Sequence, residues 1–362
     1  MNELTLLLKP VGSRCNLQCS YCFYRTNAVS GGSAMTRKTA GVLIEKIVSF
    51  RPSALSVVFQ GGEPALWDRA LFCDFVKKLE AAVACPVSFS FQTNGTLLDD
   101  SLCAFLKEHA FLVGVSLDGG RQTHNRNRTT CDGSGSFDAA MRGVRLLQTH
   151  GVAFNVLCVV SNNTVGDTAA TWEFFRQQDV RFLQFLPCLD TADGEALRPD
   201  AYEAFLKQSF DLWFEDLQKG RYVSVRHLDN YIGILLGRAP ESCAMCGTCG
   251  HYFVVEADGS LFPCDFYCDE KHRIGSVFDA QPFALTAAHE AFIQASLRIH
   301  DHCGDCQYYP LCRGGCRRDR TDNGTRNRYC SVYRHFFDYA ADRMRQSIRL
   351  LGQIDRAQAG EA

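Results

Sequence analysis

Eleven of the nineteen cysteines fall into spacings that can hold iron and sulfur, and they define the chemistry open to this chain. Cys15, Cys19 and Cys22 form a C-x3-C-x2-C run followed at once by Phe23 and Tyr24. Three thiolates on a four-iron cluster leave one iron open to an outside ligand, whereas closed electron-transfer clusters and structural zinc sites take four. A zinc or redox loop that borrows a distant ligand is the alternative reading of that spacing. Towards the other end, Cys243, Cys249, Cys264, Cys303, Cys306, Cys312, Cys316 and Cys330 supply eight further thiolates. Eight suffice for two fully ligated four-iron clusters, and equally for two zinc ribbons. Cys246 and Cys268 lie within three or four residues of these positions and compete for the ligand role. Cys73, Cys103 and Cys158 sit in apolar patterns and read as small core residues, while Cys85, Cys131 and Cys188 carry no assignable role.

The elements that must position these residues are legible as alternating patterns. Apolar, β-rich runs begin at Leu4, Leu55, Val87, Phe111, Ala153 and Val180. Segments of helical period lie between them at 37–50, 68–83, 101–109, 137–150 and 167–178. Repeated βα units of this kind predict an α/β fold, a partial (β/α)6 barrel of the triosephosphate-isomerase type. CNLQCSYC follows the first strand, QGGEP the second, QTNGT the third and SLDGG the fourth. Loops at strand C-termini build the active sites of such barrels, so the four motifs are expected to meet at one mouth. A long helix is expected over 200–219 and a closing helix over 333–354, with a cysteine-rich stretch between them. The expected domains are a core at 1–235, a cysteine-rich domain at 236–335 and a C-terminal helix at 336–362.

Composition limits the function classes. With 362 residues, 46% hydrophobic and 22% charged, the chain can bury one large core and append a smaller module. Its 38 basic and 40 acidic side chains give a formal charge of −2, which argues against nucleic acid or an anionic membrane as partner. The arginine-rich stretch 313–328 is interleaved with cysteines and acids rather than forming a basic face. The amino-terminal stretch has an acid at Glu3, a short apolar run and no small-residue cleavage site, and no later apolar run approaches the roughly 18 residues that cross a bilayer. A cytoplasmic protein is therefore expected, and in a reducing compartment such cysteine usage points to metal or redox chemistry rather than structural disulfides.

CNLQCSYCFY, GGEP, QTNGT and SLDG, in this order on consecutive strands, resemble the radical S-adenosylmethionine (SAM) superfamily. The resemblance implies that the open iron chelates SAM and that one-electron reduction yields a 5′-deoxyadenosyl radical. It also implies that Gly61, Gly62, Glu63 and Pro64 receive the SAM amino group. Ser116 and Arg128 are the candidates for its carboxylate, Arg128 because a guanidinium fork matches a carboxylate; capping or surface roles are the alternatives. Gln60 and Gln92 either anchor substrate backbone or satisfy buried carbonyls, and His124 is equally open. The C-terminal pattern resembles the SPASM extension, which implies a proximal cluster on Cys243, Cys249, Cys264 and Cys316 and a distal one on Cys303, Cys306, Cys312 and Cys330. With the first site this makes three [4Fe–4S] clusters.

Longer segments, among them LLLKP, FQGGEP, QTNGTL, FLVGVSLDG, FLQFLPCLD and FVVEADGSLFPCDFY, resemble the anaerobic sulfatase-maturating enzymes. That family oxidises a cysteine or serine in a C/S-x-P-x-R signal of an unfolded or nascent sulfatase to Cα-formylglycine. The resemblance implies Asp265 as general base and Tyr24 as a residue that orients the peptide, with flavodoxin or ferredoxin as electron donor. The plain alternatives are an Asp with local hydrogen bonds in a tight loop and a Tyr that shields a cluster. Another SPASM enzyme, forming a thioether or carbon–carbon crosslink in a peptide, is the rival activity; such enzymes often carry a leader-recognition domain, and none is expected before Leu4. A zinc-binding scaffold or redox sensor is the rival of a different class.

Overall fold

Each of the six apolar runs forms a strand in a computed structural model of the chain, which describes residues 3–25, 33–190 and 196–358. β1 (Glu3–Lys9), β2 (Ala54–Phe59), β3 (Val87–Thr93), β4 (Leu112–Ser116), β5 (Ala153–Val160) and β6 (Phe182–Pro187) pair in parallel in chain order. A two-residue β7 (Ser224–Val225) extends the edge beside β6. Parallel neighbours need crossovers, and α1 (Arg37–Phe50), α2 (Arg69–Ala82), α3 (Asp100–Glu108), a short α4 (Arg121–Asn125), α5 (Phe137–Thr149) and α6 (Thr168–Gln177) supply them. The crossovers start at defined places because Thr36, Asp68 and Asp99 cap α1, α2 and α3 by accepting from the backbone N–H groups of Thr39, Leu71 and Leu102.

Alternation along the strands separates two faces. Leu55, Val57 and Phe59 of β2 and Phe89 and Phe91 of β3 are buried, whereas Ser56, Ser88 and Ser90 between them are more exposed. Phe59 is the centre of an aromatic cluster, with the rings of Phe72, Phe75 and Phe111 at 5.2, 6.0 and 6.0 Å.

The expected boundary near 235 falls just after α8 (Arg226–Leu235), which follows α7 (Pro199–Gln218), yet the sheet runs through it. β8 (Phe253–Glu256) pairs in parallel with β1 on the side opposite β2, and β9 (Ser260–Phe262) and β10 (Gly275–Ser276) follow antiparallel. One ten-stranded sheet results, ordered β10-β9-β8-β1-β2-β3-β4-β5-β6-β7. The cysteine-rich stretch carries α9 (Ala287–Ser296) and a short α10 (Tyr309–Cys312); α8 and α9 are helices that periodicity did not reveal. The closing helix α11 (Cys330–Gln358) begins three residues before its expected start and packs on α7, where the rings of Phe210 and Phe336 meet at 5.8 Å. The last four residues of the expected C-terminal segment lie outside the described residues. No helix among the described residues is long and apolar enough to cross a membrane.

Phe59→Ala is expected to destabilise the fold by about 3–5 kcal/mol, since it removes the ring about which the cluster packs. A shift of the denaturant midpoint to lower concentration measures it.

Candidate active site and cluster-binding sites

The C-x3-C-x2-C loop leaves β1 through a tight turn, in which Gly12 N–H donates to Lys9 O and Arg14 N–H to Val11 O. The segment after β2 is fastened to that turn: Gly62 and Glu63 donate their N–H groups to Gly12 O at 2.8 Å and Arg14 O at 2.8 Å. A Cβ at Gly62 would fall 1.9 Å from Arg14 O, so this contact admits glycine alone. From the other side, Gln18 N–H donates to Thr129 O and Ser20 N–H to Asn127 O. Asn94 reaches in from QTNGT, its amide 2.9 Å from Asn16 Oδ1 and 3.8 Å from Cys15 Sγ. The four motifs thus meet at the C-terminal ends of β1 to β4. The three thiols lie within one another's electrostatic reach, and burial pushes Cys15 up to about 12. Burial also raises Cys19, against the opposing charge of Arg128. Half-buried thiols gathered in this way suit a metal cluster, whose binding displaces their protons.

Glu63 turns its carboxylate away from the loop. Oε1 accepts from Thr93 Oγ1 at 2.8 Å and Ala65 N–H at 3.1 Å, and Oε2 from Asn94 N–H at 2.7 Å. Burial pushes this carboxyl up to about 7 against the three hydrogen bonds that favour its anion. The Glu63 side chain thus braces β2 against β3.

Ser116 ends β4, half-buried, as expected. Arg128 is expected to offer a free fork, but Asp118 of SLDGG occupies it, with Nε to Oδ2 at 2.9 Å and Nη2 to Oδ1 at 3.3 Å. The reason is Asp118 itself: a buried carboxylate needs charge and hydrogen bonds, and Tyr21 OH and Val159 N–H complete its set. His124 accepts from Asp118 N–H and contacts Ser136 Oγ at 3.0 Å. Burial pushes it down to about 4, so it is a neutral bracing residue. Gln60 follows β2 and donates its N–H to Leu8 O. Gln92 pairs in register with Gly114, and a Cβ there would lie 3.4 Å from Gln92 Cγ and 3.3 Å from Asn155 Oδ1. Asn155, a polar residue in an apolar strand, therefore joins Gln92 on the inner face; its only sequence signal was that break in pattern.

The C-terminal thiols gather as two quartets. Cys243, Cys249, Cys264 and Cys316 line one cavity of about 40 Å³, together with Tyr252, Arg317 and Arg320. Burial pushes Cys264 up to about 12, and the Tyr252 hydroxyl lies 3.6 Å from its Sγ. Cys303, Cys306, Cys312 and Cys330 form the second group: burial pushes Cys312 up to about 11, and the other three thiols add to the shift. Among the described residues no three His, Cys, Asp or Glu side chains close on a point as they would around a single metal ion. The two competing cysteines stand apart, since Cys246 Sγ points at the carbonyls of Pro240 and Ser242 and Cys268 Sγ at those of Cys264 and Asp265.

Asp265 pairs with Lys9, a residue that sequence reading passed over as the end of a strand. The Lys9 side chain is 0% exposed and that of Asp265 15%. The ammonium also sits over the Tyr24 ring, 3.3 Å from its centroid. Burial alone would lower the Lys9 pKa, but Asp265, Cys268 and Glu256 outweigh it and hold the group charged. Glu256 is the register partner of Lys9 across β8 and β1 and accepts from Tyr24 OH. Tyr24 is expected at the peptide; it is 3% exposed, gives its hydroxyl to Glu256 and its ring face to Lys9, and so supports Asp265 from behind.

Comparison with known proteins gives this geometry a context. Residues 10–175 match the family model described as the radical SAM superfamily. The cysteine-type anaerobic sulfatase-maturating enzyme of Clostridium perfringens (strain 13 / Type A) is 39% identical over 95% of this chain and 98% of its own length. The serine-type enzyme of Klebsiella aerogenes is 32% identical over 92% of this chain and 84% of its own. The solved structure of native anSMEcpe with bound AdoMet and Cp18Cys peptide superposes with a TM-score of 0.89 at 37% identity, covering 98% of this chain and 99% of that one.

Two outcomes are expected. Lys9→Met leaves Asp265 and the buried Glu256 without their cation and costs about 3–5 kcal/mol, read from denaturant unfolding. Because the folded pKa of Glu63 exceeds its unfolded one, the folded state holds the extra proton and stability falls as pH rises from 4.5 to about 7. Glu63→Gln removes that slope; equal pH slopes of the unfolding midpoints in wild type and variant would contradict the assignment.

Proposed function

The chain belongs to the anaerobic sulfatase-maturating enzymes of the radical SAM superfamily, and from that membership we propose that it oxidises a cysteine or serine in a C/S-x-P-x-R signal of an unfolded or nascent sulfatase to Cα-formylglycine. Cysteine is the favoured substrate residue, because the cysteine-type relatives are 38–39% identical and the serine-type ones 26–32%.

Three four-iron clusters are part of the proposal: one on Cys15, Cys19 and Cys22, one on the quartet of Cys264 and one on the quartet of Cys312. Bound at the first site with SAM, such a cluster supplies the radical that removes a substrate Cβ hydrogen. The chain's own residues do the rest. Gly61 and Gly62 let backbone approach the SAM amino group, and Ser116 lines the carboxylate side together with Arg128, whose Nε and Nη2 are taken by Asp118 and which offers its remaining Nη1. Gln60, Gln92 and Asn155 offer amides to the peptide. Conversion of the Cβ radical to a thioaldehyde requires loss of the thiol proton and one electron. Asp265 takes the proton on a carboxylate oxygen, and the quartets hold groups able to accept the electron. Water then replaces sulfur, giving the aldehyde and hydrogen sulfide. Flavodoxin or ferredoxin is the proposed reductant.

The observation that carries this reading is the Lys9–Asp265 pair. Lys9 closes the strand that leads into the three-cysteine loop, and Asp265 directly follows Cys264 of the proximal quartet, so one ion pair joins the place where hydrogen is taken to the place where the electron leaves. A positioned base of this kind contributes on the order of 10²–10⁴-fold in rate.

Anaerobic incubation with SAM, dithionite and paired C-x-P-x-R and S-x-P-x-R peptides tests it. Aldehyde formation with release of 5′-deoxyadenosine is expected, faster on the cysteine peptide. Asp265→Asn is expected to keep its iron and still release 5′-deoxyadenosine while losing product; full product formation would remove Asp265 as base.

A further inference from the structure

The cavity of the proximal quartet contains positive charge that no carboxylate neutralises. Arg317 and Arg320 both line it. Arg320 is held by backbone carbonyls only: Nη1 donates to Ser296 O at 2.6 Å and Arg298 O at 2.8 Å, Nη2 to Gly315 O at 3.2 Å and Nε to Gly314 O at 3.3 Å. Arg317 donates from Nη1 to Phe292 O at 3.2 Å and lies over the Phe292 ring, 4.4 Å from its centroid. Among the described residues neither forms an ion pair. Asp265, the carboxylate next to Cys264, is paired with Lys9 instead. Of the eight C-terminal thiols, Cys243, Cys249, Cys264 and Cys316 line this cavity with the two arginines, and Cys303, Cys306, Cys312 and Cys330 do not.

A half-buried guanidinium without a counterion is costly unless an anion completes the site. A four-iron cluster on four thiolates is such an anion, with a net charge of about −2 that becomes more negative on reduction; charge and hydrogen bonding around the sulfurs set its potential. We propose that Arg317, with Arg320, raises the reduction potential of the proximal cluster above that of the distal one, and so makes the proximal site the acceptor of the electron released when Asp265 takes the substrate proton. The electron balance is one from the substrate Cβ radical to one oxidised proximal cluster, with the proton on Asp265. This rests on the assignment of a cluster to the Cys243, Cys249, Cys264 and Cys316 quartet.

The test is an anaerobic redox titration of the reconstituted full chain, followed by electron paramagnetic resonance, with iron counted in parallel. Arg317→Gln keeps a hydrogen-bonding amide and loses the charge; Arg317→Lys keeps the charge; Arg326→Gln, on an exposed arginine outside the cavity, is the control. About twelve irons per chain are expected in every variant. Arg317→Gln is expected to move one cluster alone to lower potential, with a roughly tenfold smaller reduced fraction at fixed potential, about 59 mV for a one-electron couple. Arg317→Lys and Arg326→Gln should titrate as wild type, and Arg317→Gln should release more 5′-deoxyadenosine per aldehyde formed. An unmoved potential in Arg317→Gln at full iron content, or an equal shift in Arg317→Lys, overturns the proposal. An iron count near four in the wild type overturns the cluster assignment instead, and the two failures are distinct.

Discussion

One buried ammonium organises the centre of this protein. Lys9 is out of water entirely, and such a charge persists only where anions and an aromatic face replace its hydration. Its replacements come from three places in the chain: Asp265 from the loop after β9, Glu256 from β8 and Tyr24 from the end of the three-cysteine loop. None is near Lys9 in sequence except Tyr24. Satisfying the cation therefore requires that the barrel strand β1 and the cysteine-rich region be docked in one register, Lys9 against Glu256. The electrostatics of a single side chain and the parallel pairing of β1 with β8 enforce the same arrangement.

At the mouth, the principle is bracing by backbone rather than by long side chains. The turn before Cys15 is held by N–H groups of Gly62 and Glu63, and the loop after it by carbonyls of Asn127 and Thr129. The charged residues of these motifs point into the protein: Glu63 ties β2 to β3, and Asp118 takes the fork of Arg128. Ser116 at the end of β4 and the neighbouring Gln92 and Asn155 are, by contrast, uncharged.

The sequence revealed what is local. Strands and helices of the six βα units followed from the periods of two and 3.6, because each element buries one face. Counts and spacings made the three-cysteine loop and the eight C-terminal thiols legible, but the division of the eight into quartets came from the SPASM resemblance; Cys243, Cys249, Cys264 and Cys316 line one cavity. Pairings between distant elements were not legible. Lys9 read as an ordinary strand end after Leu8, Glu256 as a turn-flanking acid in FVVEADG, and Arg128 as a free fork, since nothing in their neighbourhoods names a partner more than a hundred residues away or, for Arg128, a competing carboxylate ten residues back. α8 and α9 were missed because the motif-rich segments around them draw the eye to cysteine and glycine spacing rather than to helical period.

The sheet that carries all of this ends in very short strands. β7 and β10, at its two margins, are two residues each. A two-residue strand presents few unpaired main-chain groups of its own, but β7 covers only Phe182 and Leu183 of β6, so Gln184–Pro187 has no strand partner on its outer side among the described residues. At that margin, main-chain pairing with an extended chain is confined to those four residues of β6, a short template.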